Sequence, residues 1–232
     1  MKMPSILILA GAALLLAGCA QSKQASEVQS TGFLGSDYDK LREGEEGELL
    51  LIFRDPDADW PAYDRIKLDP VTIWAGEESA FDDFSAADQQ ALAEAFYSAM
   101  REELSPDYPM ADTLGAGVLQ VQIALTDAQE SSPALDTISS VVPIGLALSQ
   151  AKGLATGKPG FVGEASIEIR ILDGQTGQLL AAAADRRVGG KSIGGAVDSW
   201  DDVQESFEYW AEQLRYRLCT DRGASNCVPP EA

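Results

Sequence analysis

Apolar and polar positions alternate in three stretches of the chain. Over residues 117–127, Leu119, Val121, Ile123 and Leu125 share one parity and Gln120 and Gln122 take the other, which predicts a strand with one buried face. Residues 161–172 repeat the pattern, with Phe161, Ala165, Ile167, Ile169 and Ile171 set against Glu164, Glu168 and Arg170. The turn formers Asp173-Gly174-Gln175-Thr176-Gly177 follow, and residues 178–188 return, predicting a β-hairpin. Residues 48–54 (ELLLIFR) are apolar on both parities, as expected of a central strand. Residues 65–74 predict another strand. Its inward set is Ile66 and Leu68, then Val71 and Ile73, so parity slips by one across Asp69-Pro70. Proline cannot donate to a ladder, and a bulge or an edge is expected there.

Elsewhere the period lengthens to that of a helix. Leu92, Phe96, Ala99, Met100 and Leu104 form one stripe, opened by Ser85 with Asp88 three residues on and closed at Ser105-Pro106. Trp200, Val203, Phe207, Trp210, Leu214 and Leu218 form a second, capped by Ser199 with Asp202. Acids crowd its first turns and Arg215 and Arg217 lie near its end, an order that complements the helix dipole. Both stripes read as packing surfaces, and residues 33–44 read as a short helical turn. The order β-β-α-β-β-β-α predicts an α+β fold: a single mixed, mostly antiparallel sheet with two main helices on one face.

Composition narrows the function. The chain has 232 residues, 17 Lys and Arg against 37 Asp and Glu, and no histidine. A net charge of −20 opposes nucleic-acid binding, and the missing histidine excludes His-dependent nucleophile systems and His-ligated metals. Asp55-Pro-Asp57-Ala-Asp59 has the opening spacing of an EF-hand loop, but Trp60 and Ile66 stand where that loop needs Gly and Glu. Gly190-Lys191-Ser192 has the end of a phosphate-binding loop, but Asp185 stands at its first glycine. No metal, nucleotide, cofactor or catalytic residue is therefore expected, and the chain reads as a non-enzyme. Two features are left over. Arg186, Arg187 and Lys191 form the one basic cluster, a candidate anion site or a counterweight to Asp185, Asp198, Asp201 and Asp202. Residues 137–151 carry no charge, and Val141, Val142, Ile144, Leu146 and Leu148 make them either a connector laid on the sheet or a contact surface for a partner or membrane.

The N-terminus supplies a compartment. Lys2 precedes an uncharged, mostly apolar run from Ile6 to Leu16, too short for a transmembrane helix and right for a secretory signal. Leu16-Ala17-Gly18-Cys19 resembles the bacterial lipoprotein box. That resemblance implies cleavage after residue 18 and acylation of Cys19, with the bilayer as partner, and Ala20 implies sorting to the outer membrane. Cleavage takes Lys2 away and leaves 16 cations against 37 acids, or −21. The expected divisions are a signal peptide at 1–18, a lipidated flexible tether at 19–32, one domain at 33–218 and a tail at 219–232. The remaining cysteines, Cys219 and Cys227, are an even pair in an oxidising compartment, which predicts a disulfide.

Several segments together resemble one family. They are Asp69-Pro-Val-Thr-Ile-Trp74, the helix from Asp88 to Tyr97, Thr126-Asp-Ala-Gln-Glu130, Gly157-Lys-Pro-Gly-Phe-Val-Gly-Glu-Ala165, Asp185-Arg-Arg-Val-Gly-Gly-Lys191 and Trp210 to Leu218. They resemble the bacterial lipoproteins of domain-of-unknown-function family 3313, a resemblance that implies location and fold and carries no mechanism. The expected function is that of an outer-membrane-anchored periplasmic lipoprotein, a non-catalytic binding or envelope-assembly module that contacts an envelope protein or a second copy of itself. The alternative is a carrier or sensor of an anionic or glycan ligand held by the basic cluster.

Overall fold

The predicted hairpin is the centre of the molecule. In the computed structural model, which describes residues 22–76, 79, 81, 84–129, 164–188 and 199–230, strand β7 (Glu164–Asp173) pairs antiparallel with β8 (Leu179–Val188). The turn between them is built on Asp173, whose Oδ1 accepts from the amides of Gln175 and Thr176 at 2.9 and 2.6 Å. Gly174 packs so closely on the start of the neighbouring strand that a Cβ there would lie 2.6 Å from the Val118 carbonyl oxygen, so no larger residue fits without moving the backbone.

β6 (Val118–Gln129) pairs antiparallel with the other side of β7, completing a three-stranded core. The helix β6 needs for its other neighbour was visible in the sequence, but the direction of that neighbour was not. β4 (Arg65–Leu68) and β5 (Thr72–Ile73) both run parallel to β6, joined to it through helix α1 (Ala86–Leu104). Two parallel strands need such a crossover. Leu68 pairs with Val121 and Thr72 with Ala124, so the β4–β5 side carries one extra residue. That is the bulge expected at Asp69-Pro70.

On the far side, β8 pairs with β3 (Leu51–Arg54), and β3 with the two-residue strand β2 (Arg42–Glu43). The sheet order is β2-β3-β8-β7-β6-β4, with β5 also on β6 and β1 (Lys23–Gln24) on β8. This corrects one expectation. β3 is not central, and its residues 51–53 are only half-buried because a strand of two residues is all that lies beyond it.

α1 and α2 (Ser199–Asp221) pack on one face of the sheet. Ser85 caps α1, accepting from the Asp88 amide. Leu92, Phe96, Met100 and Leu104 point inward and are wholly buried. They meet Val203, Phe207, Trp210, Leu214 and Leu218 of α2 over Leu119, Val121, Ile123, Leu125, Ile167, Ile169 and Ile171. Phe96 stacks on Phe207 with centroids 4.5 Å apart. Burying an aliphatic or aromatic side chain of this kind contributes roughly 1.5–3 kcal/mol, so the helix stripes and the strand parity describe one continuous core.

α2 ends at Asp221, with Gly223 in the left-handed conformation just beyond it. Cys219, in the last turn, is disulfide-bonded to Cys227. A closed loop this small contributes about 2.5 kcal/mol on the chain-entropy account. Cys219→Ser should therefore lower Tm by several degrees in a thermal melt, and an unchanged Tm would show that the tail adds nothing to the fold.

Strand register fixes the two ends of the sheet. Gln129 of β6 lies opposite Glu164 of β7, Glu164 opposite Val188 of β8, and Lys23 of β1 opposite Val188. The end of β6, the start of β7, the end of β8 and the entry of the chain therefore meet at one end. The β7–β8 turn lies at the other.

Candidate functional site

The stretch expected to be a flexible tether is bound to the sheet from Ser22 onward. Ser22 is buried, and Lys23 and Gln24 pair with Val188 and Arg187 as strand β1. The Ala25 amide adds a further bond to the Arg186 carbonyl at 2.8 Å. Arg187 holds this entry. Its Nε donates to Ser22 Oγ at 2.9 Å, its Nη2 donates to the Ser22 carbonyl, and its guanidinium lies 3.5 Å from the centre of the Tyr209 ring on α2. A cation held against an aromatic face and out of water is a strong contact of its kind.

Two residues before Arg187 on the same face lies Asp185, fully buried. Its Oδ2 accepts from Trp210 Nε1 at 2.8 Å. Its Oδ1 accepts from the Leu50 amide at 3.0 Å and from Gln24 Nε2 at 2.9 Å. Burial pushes the carboxyl of Asp185 above its ordinary range, while these donors and the nearby Arg187 charge pull the other way. Burial likewise pulls Arg187 below its usual value, against Tyr209, Asp185 and Glu205. Asp185 thus ties β8 to α2, to β1 and to Leu50 just before β3 at one point, and Arg187 locks the entering chain beside it.

The other face of the sheet is covered by the same N-terminal segment. Glu168, also fully buried, accepts from the Thr31 amide at 2.9 Å, Thr31 Oγ1 at 2.6 Å and the Leu34 amide at 3.1 Å. Burial, then the neighbouring Glu168 carboxylate, raises the pKa of Tyr38. Phe33 sits over the Arg170 guanidinium at 5.0 Å and edge-on to Trp74 at 5.8 Å. Beside this segment lies a polar cleft lined by Gln29, Thr31, Thr126, Asp127, Ser166 and Arg186, among others.

The basic cluster is not assembled as expected. Successive strand residues point to opposite faces, so Arg186 and Arg187 diverge. Arg187 is buried on the helix side, while Arg186 faces the cleft and pairs with Glu164 at 2.6 Å. A paired cation and a buried one do not form a joint anion site. Lys191 lies outside the described residues, as do Cys19, the signal peptide and the whole uncharged stretch with Val141, Val142, Ile144, Leu146 and Leu148. The loop from Asp55 to Asp59 closes on itself, with Asp55 Oδ1 accepting from the Asp57 amide at 3.0 Å. Among the described residues, no group of three or more acids or cysteines is placed to hold a metal. Among them, too, no helix is long and apolar enough to cross a membrane.

A family model described as a protein of unknown function (DUF3313) matches residues 29–214. The chain belongs to the DUF3313 family. The match spans strands β2 to β8, α1 and most of α2, and leaves outside it β1, the last turns of α2 and the disulfide. No curated protein matches the chain. Two solved structures are similar at 11% identity, each covering 75% of this chain and 96% of the other: a PelC dodecamer from Paraburkholderia phytofirmans, with a TM-score of 0.36, and a point variant of that dodecamer, at 0.35. At that level of likeness neither function nor assembly carries over to this DUF3313 chain.

Proposed function

We propose that this DUF3313 protein is a lipoprotein anchored through acylated Cys19 in the outer membrane, facing the periplasm, where it acts as a non-catalytic binding or assembly module. The observation that carries the reading is the sequence Leu16-Ala17-Gly18-Cys19 directly after a short apolar run. One acyl chain holds a protein to a bilayer only marginally, with an association constant of about 10⁴ M⁻¹, and two or more hold it stably. The Cys219–Cys227 disulfide fits an oxidising compartment. The buried acids Asp185 and Glu168 are engaged by donors from the protein itself, which suits structural roles better than catalytic ones.

The assembly half of the reading rests on the uncharged residues 137–151. They lie between β6 and β7, whose adjoining ends sit beside the point where the anchored chain enters. An envelope protein or a second copy would dock on Val141, Val142, Ile144, Leu146 and Leu148.

The test is mass spectrometry of the native protein with envelope fractionation. The expected N-terminal peptide begins at Cys19 and carries acyl mass, and Cys19→Ser releases the protein from membranes. An unmodified Cys19, or unchanged membrane fractionation of Cys19→Ser, overturns the reading.

A further inference from the structure

We infer that the sheet end formed by Ser22, Lys23, Gln129, Glu164 and Val188 faces the phospholipid bilayer at close range, with the sheet standing away from it. The inference rests on the acylation of Cys19 proposed above and adds an orientation to it. Three observations carry it. The first is the length of chain between anchor and fold. Ser22 is buried and held by Arg187, so only Ala20 and Gln21 separate Cys19 from fixed structure. At no more than ~3.6 Å per residue, three steps place Ser22 within about 11 Å of the acylated residue. A free tether of residues 19–32 would have reached roughly 20 Å on average and left the orientation open.

The second observation is direction. β1 runs antiparallel to β8, and its first residue, Lys23, lies opposite the last residue of β8, Val188. The chain before Ser22 therefore leaves the sheet at the end where β8 finishes, and the anchor must lie beyond that end. The third is surface chemistry. Lys23 is exposed there, and Val188 is 38% exposed. An ammonium near a bilayer surface is attracted to anionic lipid by about 1 kcal/mol, whereas the acidic remainder of a protein with a net charge of −21 after cleavage is repelled. The cation and the apolar side chain are at the end the short spacer holds against the lipid, and the acid at that end, Glu164, is paired with Arg186 at 2.6 Å. The β7–β8 turn lies one strand length away, about 30 Å at the usual rise.

The test uses the full acylated protein in vesicles of phosphatidylethanolamine and phosphatidylglycerol containing headgroup spin-labelled lipid. Cys219 and Cys227 are disulfide-bonded and Cys19 is blocked by its acyl chain, so a single introduced cysteine takes one fluorophore. Val188→Cys and Lys23→Cys report the near end, and Gln175→Cys the far end. Severalfold stronger quenching at both near positions than at 175 is expected. A Gly/Ser insert of about ten residues between Gln21 and Ser22, reaching roughly 17 Å on average, should erase that contrast while the protein still floats with vesicles. Co-flotation with equal quenching at all three positions of the native-spacer protein overturns the orientation and leaves the anchor standing. Failure to co-float overturns the anchor, and the orientation with it.

Discussion

Asp185→Ala should unfold at a much lower urea concentration than the parent, with a loss of about 3–5 kcal/mol. The magnitude follows from what the carboxylate leaves behind. The Trp210 indole N–H and the Leu50 amide both point at it. Gln24 can turn to water, since it is exposed, but Trp210 is buried in the helix–sheet core. A buried donor stripped of its acceptor costs about 1–3 kcal/mol, and Arg187 loses a compensating charge as well. Asp185→Asn keeps the shape and one acceptor oxygen but turns an amide toward donors, so its loss should be smaller. The two variants also separate charge from shape through pH. Burial raises the folded-state pKa of Asp185 above its ordinary 3.8, so the folded state binds that proton more tightly than the unfolded state does. Stability from this group is therefore greatest below 3.8 and declines as pH rises through the raised value. Relative to Asp185→Asn, the parent should gain stability as pH falls through the window just above the usual carboxylate range. Asp69 and Asp173, where burial pushes the pKa up but the hydrogen-bond donors together outweigh it and leave it lowered, change in the opposite sense in both proteins and cancel in the difference. Urea midpoints of parent and both variants across pH give the answer. A loss below 1 kcal/mol for the alanine variant would show that water replaces the carboxylate without cost.

The core was legible in the sequence because its signal is periodic. Leu119 to Leu125, Ile167 to Ile171 and the two helical stripes each repeat at the spacing of their element, and all are buried together. The parity slip at Asp69-Pro70 was equally readable, and there the backbone break frees Asp69 to accept from Gln120 and Gln122 at 2.5 and 3.0 Å. The parallel pairing of β4 with β6 was not legible, since the same alternation serves either direction. The cover of the second sheet face was missed for a different reason. Residues 22–32 are mostly polar and aperiodic, and what holds them is Arg187 on Ser22, a short backbone ladder to β8, and bonds from Gln24 and Thr31 to the strand acids Asp185 and Glu168. Glu168 sits on the polar parity of β7 and so read as facing solvent. Asp185 did leave a sign. With Ala181 and Ala183 it occupies the parity of β8 that faces the helices, and an acid in that position implies donors waiting for it. The divergence of Arg186 and Arg187 follows from the same alternation, which a reading of the two as one cluster passes over.

Glu168→Ala should detach the N-terminal segment from the sheet and lower stability by about 2–4 kcal/mol, since hydrogen bonds to a charged acceptor are worth about 1.5–3 kcal/mol each and do not add fully. The Thr31 amide and hydroxyl and the Leu34 amide converge on this carboxylate, and the Tyr38 side chain bonds to it as well. Unlike the donors around Asp185, they lie on a segment that can swing away and find water, so the damage is local before it is global. Leu34 is buried beneath the segment and would be exposed by its release, and Trp74, whose Nε1 donates to the Thr31 carbonyl at 3.1 Å, would lose that bond. Amide exchange therefore separates the two outcomes. In the parent, the amides of Thr31 and Leu34 should exchange slowly. In the variant they should exchange faster by about tenfold for each 1.4 kcal/mol lost, while the amides of β6 and β7 away from residue 168 keep their protection relative to global unfolding. Glu168→Gln, which keeps an acceptor for one amide, should fall between the two. Equal acceleration across the whole sheet would show that the segment is not a separable layer but part of the global folding unit. No acceleration at Thr31 and Leu34 would show that the carboxylate does not hold it. The distinction bears on how the fold would carry the proposed anchor. Under the proposed acylation of Cys19, the pull of the membrane would reach the fold first through Ser22, Arg187 and strand β1, and the grips of Asp185 and Glu168 farther along add to these in keeping the short spacer from becoming the start of a longer, unravelling tether.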